Sequence, residues 1–162
     1  FYEYSEANVH KVLVDKVLVL PWGMRYYWPH AKIGGGDFIN CRTAVYNYPV
    51  QGFATAEIIP IALAAFRQRT RESGVGDAIT ILNTVHDSII CDIDSSALDV
   101  WKEIAINAFT LDVYAYLRNV YNYDFDKVPL GVGMNYGTHW ADPSNTEEEW
   151  DVFADGRRVK RK

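Results

Sequence analysis

Two short apolar runs separated by a polar dipeptide form the clearest pattern in the chain. Residues 78–85 (Ala-Ile-Thr-Ile-Leu-Asn-Thr-Val) and 88–93 (Ser-Ile-Ile-Cys-Asp-Ile) are rich in β-branched residues, which favour strands. His86 and Asp87 lie between them. The pattern therefore predicts a β-hairpin with His86 and Asp87 at or beside its tip.

Two longer segments have the apolar spacing of helices. The first runs from Val50 to about Ser73, and Pro60 within it predicts a kink or a break into two helices. The second runs roughly from Ser96 to Val120, and a side chain just before it, Asp94 or Ser95, is expected to cap its first turn.

Three further runs are predicted to be strands. Lys16–Leu20 and Met24–Trp28 surround Pro21-Trp-Gly23, which is typical of a hairpin turn, and Val128–Met134 follows the second helix. The order hairpin, helix, hairpin, helix, strand indicates an α+β fold. We expect an antiparallel sheet, made of the His86–Asp87 hairpin and the further strand, backed by the long helices.

Polar and glycine-rich segments separate and follow these elements. Residues 31–37 contain Gly34-Gly-Gly36 and are expected to be a mobile loop. No Lys-Ser/Thr follows and there is no GxGxxG spacing, which strongly favours a linker over a phosphate-binding loop. Residues 142–149 are polar and acidic, and residues 157–162 are expected to be a solvated, disordered end. We divide the chain into an N-terminal hairpin and loop (1–40), a central subdomain (41–140) and an acidic, then basic tail (141–162).

Charge is unevenly distributed along the chain. The net charge is −5, but the last six residues contain five basic side chains, so residues 1–156 carry 11 basic and 21 acidic residues, a net charge of −10. A nucleic-acid-binding protein with a negative net charge must contact phosphate through a local basic patch. The tail could add sequence-independent DNA affinity, although a solvated end is the simpler interpretation.

Composition places the chain among ordinary globular proteins. Hydrophobic residues make up 49% and charged residues 23%, and the two cysteines have no metal-site or disulfide spacing, which fits a reducing, cytoplasmic location. No apolar run is long enough to suggest a membrane span, so no membrane partner is expected. The first residue is phenylalanine, which suggests a fragment of a longer protein.

The hairpin tip is the best candidate for chemistry. A tip is exposed while its strands hold the backbone, which suits a metal-binding carboxylate such as Asp87. Asp is also common in turns, so Asp87 could be a turn residue and His86 an ordinary hairpin histidine. The hairpin alone does not decide between these interpretations.

Three motifs in order resemble one protein family. Asn47-Tyr-Pro-Val-Gln51-Gly52, then a helix, then Val85-His86-Asp87 between strands, then Val128-Pro-Leu-Gly-Val-Gly-Met134 before Trp140, are similar to the C-terminal palm region of family A (DNA polymerase I-like) DNA polymerases. The resemblance covers roughly residues 16–140. The segments around Trp28 and Glu147–Trp150 resemble a phage or viral branch more than a bacterial repair enzyme.

The resemblance implies a metal-dependent nucleotidyltransferase. Asp87 would be a ligand of Mg²⁺ in a two-metal site, in which the ions clamp the attacking and leaving oxygens. His86 would lie beside the primer end. The partners implied are primer-template DNA and deoxynucleoside triphosphates.

The resemblance also implies DNA contacts by Asn47, Gln51 and Arg42. Every base pair presents minor-groove acceptors, so a side-chain amide from Asn47 or Gln51 can test pair shape without reading identity. Arg42 would hold template phosphate or base edges, although its spacing to Asn47 makes this match weaker. The alternative for Gln51 is an amide at a helix start that bonds the backbone.

The chain departs from the family pattern at two points. Ser88 stands where the family usually has Glu, and the family's second aspartate and nucleotide-gripping fingers helix are absent before Tyr46. One carboxylate does not hold two metal ions, so we expect the chain to be inactive alone and to need the missing N-terminal polymerase segment, in cis or in trans. Two alternatives stay open: a non-catalytic module that binds duplex DNA, and an unrelated metal-dependent hydrolase using His86 and Asp87.

Overall fold

The computed structural model describes residues 2–34 and 39–161 and has the expected α+β architecture, with helices and antiparallel sheets. By its internal contacts the chain divides into two compact units, the first up to Ala56 and the second from Glu57 onward. The subdomain boundaries drawn from the sequence after residues 40 and 140 stay predictions. Of the glycine-rich loop predicted at residues 31–37, residues 35–37 lie outside the described part of the chain, and residues 31–34 form neither a helix nor a named strand.

The first unit is built around a small core beneath a helix and a hairpin. Helix α1 (Tyr2–Asp15) was not predicted, because its sequence has no broad apolar stripe. Strands β1 (Val17–Val19) and β2 (Arg25–Tyr27) form the predicted antiparallel hairpin. The buried side chains of this core are Val9, Val12, Leu18, Leu20, Ala31, Ile39, Cys41 and Val45.

One helical run of 31 residues joins the two units. It comprises α2 (Arg42–Gln51), a π-helical stretch (Gly52–Ile58) and α3 (Ile59–Glu72). The predicted start at Val50 was wrong, because Pro49 lies inside α2. The run changes from π-helical to α-helical geometry next to Pro60, which lies in the first turn of α3 and donates no backbone hydrogen bond.

The same helical run contradicts the expectation that no apolar segment is long enough to suggest a membrane span. Within the described residues, Arg42–Glu72 is long and apolar enough to cross a membrane, with a mean hydropathy of 1.4 over its best 18 residues, of which 17% are buried. Length and composition are weak evidence for a span, and a helix of this kind is also compatible with a soluble protein. The absence of a membrane partner stays a prediction.

The second unit contains the predicted central hairpin and two helices. Strands β3 (Ile79–Val85) and β4 (Ser88–Ile93) pair antiparallel, as predicted. The Asp94 carboxylate accepts a bond from the Ser96 amide at 2.9 Å, which confirms the predicted cap. The single helix predicted from Ser96 to Val120 is instead α4 (Leu98–Phe109) and α5 (Leu111–Tyr121).

The break between α4 and α5 occurs at Thr110. Its backbone lies outside the helical region, with φ −132° and ψ −79°. Its buried hydroxyl donates to the Ile106 carbonyl oxygen at 2.5 Å, so the side chain competes with the helix for a backbone acceptor. A buried threonine can therefore end a helix that the apolar spacing alone would continue.

A three-stranded sheet completes the second unit. Strand β5 (Leu130–Tyr136) matches the predicted third strand, but it pairs with β6 (Thr146–Val152) and not with the hairpin. Strand β7 (Arg158–Lys160) pairs with the other edge of β6. The expectation of a disordered basic end was therefore wrong for residues 158–160.

The acidic segment forms a strand because its polarity alternates. Val152 is fully buried and Trp150 packs against the core, whereas Glu147 and Glu149 point to the opposite face. The hairpin and this sheet both contribute to one core. Its buried members are Phe66, Ile79, Ala97, Trp101, Ile104, Ala105, Ile106, Ala108, Val132, Met134 and Val152.

Candidate functional site

The β3–β4 hairpin holds His86 and Asp87 in a two-residue turn. Val85 pairs directly with Ser88, which leaves only these two residues to reverse the chain. His86 has φ +53°, in the left-handed region. The Ser88 hydroxyl donates to the Val85 carbonyl oxygen at 2.9 Å and closes the turn. The tip is thus defined by backbone pairing and one side-chain bond.

The side chains at the tip are free to meet a ligand. His86, Asp87 and Ser88 are all exposed. Within residues 2–34 and 39–161, neither the Asp87 carboxylate nor the His86 imidazole has a hydrogen-bond or ion-pair partner. An ionised carboxylate with both oxygens open is a hard donor of the kind that Mg²⁺ prefers.

The hairpin does not supply a second carboxylate at its tip. The next acidic residue, Asp92, pairs with Thr80 at the far end of the strands. Five residues of extended strand separate it from Asp87, or roughly 16 Å. In the part of the chain that the structure describes, no three His, Cys, Asp or Glu residues converge as a metal-binding group.

Helix α2 carries the predicted base-pair contacts on one face. Asn47 and Gln51 are four residues apart, so their side chains project from the same side of the helix. Both are exposed, and neither side-chain amide bonds another described residue. Gln51 lies within a continuous helical run, so the alternative of an amide bonding the backbone at a helix start is excluded.

Arg42 is on a different face and is already paired. It lies five residues before Asn47, a rotation of about 140° from it around the helix axis. Its guanidinium donates to Glu6 Oε1 of α1 at 2.7 Å, and the Tyr46 hydroxyl donates to the same oxygen. The Arg42 side chain is still 40% exposed, so it retains free donors.

Gly52, directly after Gln51, has a clear packing reason to be glycine. A Cβ at this position would collide with the hydroxyl oxygen of Tyr26 and lie 3.1 Å from its Cζ. The Tyr26 ring packs against Trp28 and Tyr48, with ring centroids 5.9 and 6.1 Å away. Gly52 is therefore fitted to an aromatic cluster that sequence reasoning did not anticipate.

The structure brings the predicted residues together in two groups. His86 and Asp87 share the hairpin tip in the second unit, and Asn47 and Gln51 share a face of α2 in the first unit. Sequence reasoning missed Glu6, which holds Arg42. No local signal could have identified it, because the two residues are 36 positions apart in sequence.

A second network that was missed fixes the three-stranded sheet to α4. Glu148 Oε1 accepts hydrogen bonds from the Tyr136 hydroxyl at 2.6 Å and the Lys102 ammonium at 3.0 Å. These donors lower the pKa of Glu148 to about 2, with the tyrosine bond as the largest cause. The network is structural, and it anchors the strand that carries most of the acidic segment.

The chain was compared with family models, with curated proteins and with solved structures, and none of them matches it.

Proposed function

We propose that this chain is the C-terminal palm part of a family A DNA polymerase, which extends a primer 3′ end on a DNA template. The proposal rests chiefly on one observation: a two-residue turn holds the exposed Asp87, which has no side-chain partner among the described residues, at the tip of a paired hairpin. The resemblance of the three motifs supplies the identity of the reaction.

The donor chemistry of the tip fits one ligand of a divalent metal. Asp87 would contribute a carboxylate oxygen to Mg²⁺, and a bound metal supplies charge stabilisation at phosphate oxygens. Ser88 contributes no negative charge, and its hydroxyl proton is already donated to Val85. The remaining ligands would come from the upstream polymerase segment.

The roles of the other residues follow from their exposure. Asn47 and Gln51 present amide donors from one helix face, as required for sequence-independent contacts to minor-groove acceptors. His86, beside Asp87, would contact the primer end. Arg42 would reach template phosphate through the donors that Glu6 leaves free. We place the protein in the cytoplasm, that of the host cell if it is encoded by a phage.

Primer extension with Mg²⁺ and four deoxynucleotides tests the proposal. The chain is assayed alone and as the completed enzyme, meaning this chain joined to its upstream polymerase segment. We expect extension only by the completed enzyme, and its loss on Asp87→Ala with duplex binding retained. Extension by the isolated chain, or by the completed Asp87→Ala variant, would contradict the proposal.

A non-catalytic duplex-binding module is the second candidate. The observation that favours it is the single carboxylate at the tip, with Ser88 beside it. It predicts that the completed protein binds primer-template DNA without extending it, and that Asp87→Ala changes neither property. The hydrolase alternative lacks a converging set of ligands among the described residues.

A further inference from the structure

The basic residues at the C-terminal end are engaged by acidic partners of the same unit. Arg158 makes a two-pronged ion pair with Glu103, with contacts of 2.8 and 2.9 Å. Arg161 contacts Asp151 at 2.5 Å and Glu149 at 3.9 Å. Carboxylates on α4 and β6 thus occupy positions around β7 that an external anion would otherwise take.

The backbone attachment of this segment is slight. Strand β7 has only three register pairs with β6, and it forms the edge of its sheet. Beyond the strand, the Arg161 amide adds one bond to the Glu149 carbonyl oxygen at 2.8 Å. Short edge strands open at low free-energy cost, so this segment is among the parts of the unit that can detach readily.

Each ion pair of Arg158 and Arg161 has at least one exposed partner. The side chains of Arg161, Glu149 and Glu103 are each more than half exposed, whereas those of Arg158 and Asp151 are 28% and 24% exposed. Exposed pairs of this kind contribute about 0–1 kcal/mol each and weaken as salt rises. A polyanion with closely spaced charges can therefore compete with the carboxylates for the same arginines.

We propose that β7 is a latent DNA-backbone-binding segment, masked by Glu103, Glu149 and Asp151, which phosphate groups displace. Arginine matches phosphate as it matches carboxylate, through parallel N–H donors, so the exchange conserves the type of hydrogen bond. Release frees Arg158 and Arg161 from their carboxylates and moves Lys160 away from Glu148, 3.7 Å from it in the native structure. With the already exposed Arg157 they then form a local basic patch on an acidic chain. The choice of DNA as the polyanion rests on the proposed function.

Fluorescence anisotropy of a labelled 20-base-pair duplex, titrated with the full chain from 50 to 300 mM NaCl, tests this. The unmasked variant is Glu103→Gln/Glu149→Gln/Asp151→Asn. We expect it to bind about tenfold more tightly than the native chain at 50 mM NaCl. The slope of log binding constant against log salt concentration should be steeper by two to three, because each phosphate contact adds about 0.9 to that slope.

A matched control separates unmasking from a change in net charge. Glu3→Gln/Asp15→Asn/Asp77→Asn removes the same number of charges from exposed side chains that make no ion pair with the described residues of β7, and it is expected to change affinity less than twofold. Adding Arg158→Gln/Lys160→Gln/Arg161→Gln to the unmasked variant should abolish its gain. An equal gain in the control variant, or a gain that survives loss of the basic residues, would overturn the proposal.

Hydrogen exchange of residues 158–161 provides a readout that needs no variant. The native chain should lose protection at these amides when the duplex is added. Protection that persists while the duplex is bound would also overturn the proposal. Neither experiment depends on Asp87, so β7 can fail this test while the polymerase proposal stands. Equally, a failed primer-extension test does not alter the result of the duplex titration, so the two failures can be told apart.

Discussion

Ser88 and Val85 close the β3–β4 hairpin twice, because they form the last register pair and the Ser88 hydroxyl donates to the Val85 carbonyl oxygen at 2.9 Å. This arrangement forces the chain to reverse within His86 and Asp87. It fixes the backbone position of Asp87, whose carboxylate has no hydrogen-bond or ion-pair partner among the described residues.

The left-handed backbone at His86 should cost stability in the native chain. A non-glycine residue in this region costs about 1–2 kcal/mol, whereas glycine has no steric penalty but loses more entropy on folding. We predict that His86→Gly raises the free energy of unfolding by up to about 1 kcal/mol in urea titrations, and that His86→Val lowers it. A loss of more than 1 kcal/mol in His86→Gly would mean that the imidazole makes a stabilising contact.

Gln51 should contribute to DNA affinity and not to folding stability. Its side chain is exposed and bonds no other described residue, so Gln51→Ala should change the free energy of unfolding by less than about 0.5 kcal/mol. Losing one amide contact should weaken primer-template binding by the completed enzyme about three- to tenfold, on the scale of one hydrogen bond. Gln68→Ala, an exposed glutamine that bonds Glu72 on α3, is the matched control and should leave DNA affinity unchanged. Equal effects of the two variants would remove the proposed role.

Gly52 and Tyr26 should be energetically coupled. Gly52→Ala places a methyl group against the Tyr26 hydroxyl, and forcing the two apart costs about 1–3 kcal/mol. Tyr26→Phe removes the hydroxyl oxygen that the added methyl group would meet, so most of that cost should disappear. Alanine is also a better helix former than glycine. A double-mutant cycle by urea unfolding measures the coupling. Additive effects of the two substitutions would contradict a close approach of Gly52 to the Tyr26 hydroxyl.

Glu148 should make the second unit sensitive to acid. Hydrogen bonds from Tyr136 and Lys102 hold its pKa at about 2, below the value of about 4.3 in an unfolded chain. Its stabilising contribution is therefore complete above about pH 5 and is lost as pH falls towards 2. We predict that Glu148→Gln lowers stability at pH 7 by roughly 1–2 kcal/mol and flattens the decline between pH 5 and pH 2, as followed by thermal unfolding. If the stability of Glu148→Gln falls between pH 5 and pH 2 as steeply as that of the native chain, other carboxylates cause the acid sensitivity.

Asp142 contributes to the same acid sensitivity and must be considered in that experiment. Its buried carboxylate accepts bonds from the hydroxyls and amides of Ser144 and Thr138, which lower its pKa well below the usual range, with the Ser144 hydroxyl as the largest cause. The Glu148→Gln/Asp142→Asn variant should therefore show a flatter decline than either single variant.

Local patterns predicted the elements whose signals are local. The β3–β4 hairpin follows from β-branched runs on either side of a two-residue turn, and the Asp94 cap follows from its place before a helix. The helix start at Arg42 was missed because Pro49 indicates a boundary, yet here the proline is accommodated within the helix. The break at Thr110 depends on one buried hydroxyl, which apolar spacing does not register.

Features that depend on distant partners could not be predicted from the sequence. Strands β6 and β7 carry many charges, and their strand character becomes evident only when Trp150 and Val152 are seen packed in the core. The pairing of Arg42 with Glu6 and the fit of Gly52 to Tyr26 are of the same kind. Of the candidate site, the sequence identified the exposed tip but could not show that Asp87 lacks a partner among the described residues.

The most direct test of the account compares two carboxylates of one hairpin. Asp87 lies at the tip and Asp92 near the base of β4, and both are exposed. Single-turnover incorporation of one deoxynucleotide is measured for the completed enzyme carrying Asp87→Asn or Asp92→Asn. We predict a loss of at least about 10³-fold for Asp87→Asn, or about 4 kcal/mol of transition-state stabilisation, and less than about twofold for Asp92→Asn. An Asp87→Asn enzyme within tenfold of the native rate would contradict the assignment of Asp87 as a metal ligand.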